Sequence, residues 1–178
     1  MDNNRIQAVR DESWNRIVGR LMKDVDLFEG IKEVCRHFKV GAAQFQCLGS
    51  LQYATYLQII RGDEPGLVRY SGKKQTGSAV EILSGSGFVG TGEDGELDVH
   101  FHGMVVDCDQ QITGGHFLDG ENPTAVTVEF IIFPIENVRL QRGVDPYWQA
   151  PIFSFYSKEG AENGDSGAVS TKIGERLS

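Results

Sequence analysis

Three of the four histidines in this 178-residue chain fall within seventeen positions, as Asp98-Val99-His100-Phe101-His102 and Gly114-Gly115-His116. Alternate side chains on an extended strand share a face, so His100 and His102 stand side by side with Asp98, while Val99 and Phe101 point the other way. Neutral imidazole is a good ligand for Zn²⁺ and similar divalent metals. A third nitrogen from His116 on the next strand would complete a three-nitrogen face with a fourth position open to water or a ligand. The two glycines ahead of His116 allow close backbone approach there. The H-x-H pair alone fits two surface or hydrogen-bonded histidines equally well; the nearby Gly-Gly-His raises the metal reading.

Other groups carry less. An H-x-H also occurs in cupin metal sites, but Met104, Val105 and Val106 occupy the positions where a cupin acid is expected. Cys108 lies between Asp107 and Asp109 in a turn, and carboxylate neighbours disfavour its thiolate. His37 sits beside a helical apolar stripe, as a boundary or surface histidine. Glu81 and Glu129 stand inside apolar strands (Ala79-Val80-Glu81-Ile82-Leu83 and Val126-Thr127-Val128-Glu129-Phe130). Each acid either faces solvent on an alternating strand, pairs with an arginine such as Arg20, or orients a ligand histidine. Ser84-Gly85-Ser86-Gly87 lacks the order of a nucleophile elbow and reads as a bend or bulge. No Walker or dinucleotide fingerprint follows a strand.

The elements that must position these residues are mostly strands. One helix is legible between Asp26 and Phe38, where Leu27, Ile31, Val34, Cys35 and Phe38 recur at three- and four-residue steps. Asp26 can cap it, Glu29 stands where a capping-box acid would, and Gly41 lies just past its end. Residues 42–48, 51–60, 67–70, 79–83, 97–106 and 125–133 are rich in β-branched and aromatic residues. Arg61-Gly62-Asp63-Glu64-Pro65-Gly66 and Glu93-Asp94-Gly95-Glu96 read as loops between sequential strands, which favours antiparallel pairing. The expected fold class is α+β, a mainly antiparallel β-sheet packed with one principal helix. Beyond Pro134 an aromatic stretch over 144–156 is expected to pack back on the core, and 157–178 reads as a mobile polar tail.

Composition narrows the function classes. Lys and Arg number 17 against 25 Asp and Glu, a net charge of −8, which argues against a surface that neutralises phosphates by bulk charge. No apolar run approaches the ~20 residues that cross a bilayer, and the N-terminal sequence lacks signal-peptide order, so no membrane partner and a cytoplasmic location are expected. Three cysteines without a CxxC pair suit a reducing compartment. The 22 glycines, well above the usual ~7%, point to many turns and close backbone approaches.

Several motifs in register are similar to those of the PPC family (plants and prokaryotes conserved domain). They are Gly19-Arg20-Leu21, the Leu27–Phe38 helix, Leu48-Gly49-Ser50-Leu51, the stretch from Ala79 to Gly87, Leu97 to His102, Gly114 to Phe117, and Val126 to Glu129. The resemblance covers roughly residues 15–140, leaving 1–14 as a lead-in and 141–178 as a partly disordered extension. It implies a homotrimeric α+β fold with a metal or small-ligand site near the subunit interface, carried here by His100, His102 and His116. It also implies DNA association, although no Arg-Gly-Arg-Pro hook is present.

Two function classes follow. The first is a trimeric binding or regulatory protein, DNA-associated by resemblance, with a three-histidine site for a divalent metal, zinc, or a small-molecule ligand. DNA contact would then rest on arginines such as Arg61, Arg69, Arg139 and Arg142. The second is a small metal-dependent hydrolase or lyase whose histidines hold an activated water, with Glu129 or Glu81 accepting its proton.

Overall fold

The helix α1 (Leu27–His37) forms where the apolar spacing places it in the computed structural model, which describes residues 5–64, 67–146 and 150–158. Asp26 caps it, its carboxylate accepting from the backbone N–H groups of Phe28 and Glu29 at 2.9 and 3.2 Å. Glu29 does not complete a capping box; it ion-pairs with Lys32 at 2.5 Å. The chain leaves the helix through Lys39 in the left-handed region (φ 55°), so the reversal falls before Gly41 and does not use it.

The strands, in chain order, are β1 (Ile6–Asp11), β2 (Arg16–Met22), β3 (Ala43–Leu51), β4 (Thr55–Leu57), β5 (Ile59–Arg61), β6 (Val68–Tyr70), β7 (Lys74–Gln75), β8 (Val80–Thr91), β9 (Leu97–Asp107), β10 (Ile112–Phe117), β11 (Thr124–Pro134), β12 (Val138–Val144) and β13 (Pro151–Ser157). One large sheet runs β1-β2-β11-β3-β8-β9-β10-β4-β7, and its neighbouring ladders are antiparallel. The hairpin β5–β6 stands apart as a two-stranded sheet. The expected α+β class is therefore observed. Residues 6–11, which the sequence places in a lead-in, form the edge strand of the sheet.

The Gly-Ser run is both bulge and strand. Register between β8 and β9 shifts between Ile82 and Ser84, and β8 then continues to Thr91. Small residues are needed there because Phe101 of β9 lies across Gly85, whose place a Cβ would contest with the ring. Phe101 is fully buried, stacks on Phe45 at 5.4 Å and meets Phe28 of α1 edge-on at 6.1 Å. The core lies between α1 and this inner face, with Ile17, Leu21, Ile31, Val128 and Ile132.

The hairpin β12–β13 covers one end of the outer face. Leu140 and Phe153 pack on Gly90, where an added Cβ would meet Phe153 at 2.6 Å and Leu140 at 2.7 Å. Phe155 meets Phe88 edge-on at 6.1 Å. The aromatic stretch thus packs on the sheet as expected for Phe153 and Phe155. Tyr147, Trp148 and most of the polar stretch after residue 157 lie outside the described residues. Among those described, no helix is long and apolar enough to cross a membrane.

Candidate metal centre

Strand β9 delivers two of the three histidines to the outer face by simple alternation: Val99 and Phe101 are buried inward, and His100 and His102 face outward. The third arrives by register. In the β9–β10 ladder His116 pairs directly with His102, and in the β8–β9 ladder Ser86 and Phe88 stand opposite His102 and His100. Register here depends on Gly115, which sits at φ 157° with the Leu57 carbonyl of β4 against it. Any side chain would push β4 away from β10.

The three rings converge. His100 Nε2 and His102 Nε2 are 3.1 Å apart, His116 Nδ1 is 3.4 Å from His102 Nε2, and all three donor atoms lie within 4.8 Å of one another. Two nitrogens on a tetrahedral zinc, each about 2.0–2.1 Å from the ion, stand about 3.3 Å apart. Two of the three pairs already have that spacing, so the donor set suits a tetrahedral ion with one open position. Without an ion, neutral imidazoles at these distances can share N–H···N hydrogen bonds.

Electrostatics keep the rings neutral. Burial pushes His100 down to about 4, assisted by the positive charges of Arg142 and His102. Burial again comes first for His116, also about 4, followed by repulsion from His100, His102 and Arg142. His102 is lowered by burial. All three are therefore uncharged at neutral pH, each keeping one N–H and leaving the other ring nitrogen free for a metal. Aromatic rings flank the triad: Tyr70 of the β5–β6 hairpin lies 6.1 Å from His116, and Phe153 of β13 lies 6.5 Å from His100.

The remaining sequence candidates fall elsewhere. Glu129 lies on β11, three strands from β9 in the sheet order, or about 14 Å at the usual spacing between strands. It is exposed and stands directly opposite Arg20, also exposed, in the β2–β11 ladder. Glu81 is exposed and pairs with Val106, four residues beyond His102 along β9. The structure gathers the histidines and leaves Glu81, Glu129 and Arg20 apart from them. Cys108 is exposed in its turn, its thiol directed at the Ala79 carbonyl at 3.4 Å, while burial pushes Cys35 and Cys47 up to about 12. Of the arginines considered for DNA contact, Arg142 is a correction: it is buried. Arg139 lies over the Tyr156 ring at 4.9 Å.

Sequence reasoning missed Phe153, Tyr70 and the burial of Arg142 as parts of this neighbourhood. A signal for Arg142 does exist, since it alternates with buried Leu140 on β12 and so shares its face.

An antiparallel sheet backed by one helix, with three convergent histidines on its outer face that could hold a metal ion, defines a small α+β protein. The chain belongs to the Plants and Prokaryotes Conserved (PCC) domain family, whose profile matches residues 10–136. Solved structures share the fold. A plant- and prokaryote-conserved (PPC) protein from Pyrococcus horikoshii is 18% identical with a TM-score of 0.61, covering 85% of this chain and 96% of that one. A metal-containing protein from Archaeoglobus fulgidus is 20% identical with a TM-score of 0.66, covering 84% and 97%. A protein from Bacteroides thetaiotaomicron, named as a candidate DNA-binding protein, is 16% identical with a TM-score of 0.69, covering 85% and 99%. A comparison with curated proteins finds no match.

Proposed function

We propose that this chain is a trimeric binding or regulatory protein whose three-histidine face holds a divalent metal, zinc by ligand chemistry, and offers its open position to a small ligand. The observation that carries this reading is the convergence of three neutral imidazole donors within 4.8 Å. The Archaeoglobus neighbour, named as metal-containing, supports it. His100, His102 and His116 would be the protein ligands, and a divalent ion bound there would supply Lewis acidity to an oxygen or carbonyl. A proton acceptor at the open position is the further need of a hydrolase or lyase, and the placement of Glu81 and Glu129 favours the binding reading.

Assembly into a trimer is supported by the outer face, where Leu48, Leu83, Phe88 and Met104 are exposed on the neighbouring strands β3, β8 and β9. Apolar surface of this kind marks an interaction site. DNA association, as the name of the Bacteroides neighbour suggests, would have to work against a net charge of −8.

The test is elemental analysis of protein purified without a histidine tag. About one metal per chain is expected, and it should vanish in the His100→Ala/His102→Ala double variant. Unchanged metal content in that variant would overturn the site.

A further inference from the structure

A cavity of about 500 Å³ opens at one end of the large sheet, between the edge strand β1 and the C-terminal half of α1. It lies on the helix side of the sheet, opposite the face that carries the histidines. Alternation along β1 turns Ile6 and Ala8 toward the helix, and Ala8 brings only a methyl to the space. Val25, Val34 and Phe38 form the facing wall. Ile6, Ala8, Val25 and Phe38 are half-buried and pack against the main core, so the walls are apolar yet still reached by water. A space of this volume and lining is in the range of small-molecule sites, and covering its walls with an apolar group is favourable.

The rim is polar, and its charges are not evenly matched. Arg5, Glu33 and His37 line it and are exposed. Glu33 is engaged by Arg36, one turn further along α1, at 3.7 Å. Arg5 makes no ion pair or side-chain hydrogen bond among the described residues. The His37 nitrogens are likewise unengaged there, while the ring is held edge-on against Phe38 at 4.8 Å. What the rim leaves unmatched is a guanidinium fork and an imidazole N–H, donors that suit a carboxylate.

We infer that this cavity binds an apolar monocarboxylate of the fatty-acid type, its chain against Ile6, Ala8, Val34 and Phe38 and its carboxylate at Arg5 and His37. The apolar walls supply affinity through the water they shed, and the guanidinium selects an anion over a neutral or cationic head. The site is separate from the histidine centre and needs no metal.

Calorimetric titration with octanoate tests the inference, with acetate as the control for the chain and octylamine as the control for the head group. Octanoate should bind at least about tenfold more tightly than either. Arg5→Gln, at an exposed position, should remove the advantage over octylamine. Ala8→Phe should fill the cavity and abolish octanoate binding, with a far-ultraviolet circular dichroism spectrum like that of the parent protein. Leu48→Asp on the outer face should leave octanoate binding unchanged. No octanoate binding by the parent protein, or octylamine binding as tightly, would overturn the inference. So would binding that survives both Arg5→Gln and Ala8→Phe, or that is lost in Leu48→Asp, which would place the molecule on the outer face. A fall in native mass in Ale8→Phe would make the cavity a contact between copies and overturn it as well.

Discussion

His116 stands directly across the β9–β10 ladder from His102, with Nδ1 and Nε2 3.4 Å apart, although fourteen positions separate the two in sequence. This one register pair converts an H-x-H strand into a three-donor face. Because His102 is the donor close to both other nitrogens, His102→Ala should lower metal affinity most, by at least tenfold. His37→Ala on α1, whose ring packs against Phe38 at 4.8 Å, should leave metal content unchanged. Equilibrium dialysis with zinc reads both outcomes.

Gly115→Ala tests the register itself. Its φ of 157° and the Leu57 carbonyl lying where a Cβ would go make the substitution strained on two counts. Destabilisation of about 1–3 kcal/mol in urea unfolding is expected, with weakened metal retention. Wild-type stability would show that β4 does not hold β10 in place.

Phe101→Ala should cost about 3–5 kcal/mol, because a fully buried ring flanked by Phe28, Phe45 and Phe117 leaves a cavity that the neighbouring strands cannot close. Denaturant unfolding measures it. The same change should loosen the histidines on either side of residue 101, so its metal affinity is expected to fall as well.

Acid should weaken the metal-free fold through the triad. His100 and His116 lie near 4 in the folded chain, chiefly from burial, against about 6.5 when unfolded. Between these values the unfolded chain binds more protons, so stability is fully present above pH 6.5 and is lost as pH falls toward 4. The loss should shrink in the His100→Gln/His116→Gln variant, as followed by thermal unfolding across this window.

Leu48 is 58% exposed on the outer face, in the middle of the sheet. If that face is where three copies meet, the native mass should be three times 19.6 kDa, and Leu48→Asp should shift it toward one copy in sedimentation. Non-specific duplex binding, with 25 acidic against 17 basic residues, is expected to be undetectable even at low salt; a steep salt-dependent signal would instead support the DNA-binding role.

Helix α1 is legible in the amino-acid sequence because three- and four-residue apolar steps identify its buried stripe, and Asp26 caps it as its type suggests. The shared outward face of His100 and His102 follows from alternation alone. Gly41 does not stop the helix, because Lys39 takes the left-handed conformation itself. The continuation of β8 through Ser84-Gly85-Ser86-Gly87 is not legible in the same way, because Gly and Ser have weak intrinsic strand preference, and β1 is short and is fixed by its pairing with β2 at the sheet edge.

Local order, then, belongs to the sequence: the helix and the alternation along β9 act through neighbours a few residues away. The tertiary structure alone decides that β10 aligns His116 with His102, that Glu129 lies three strands away beside Arg20, and that β12 brings Arg142 beneath Phe153. Those outcomes depend on which distant strands pair and in what register. A shift of one residue in any ladder would turn its side chains to the opposite face.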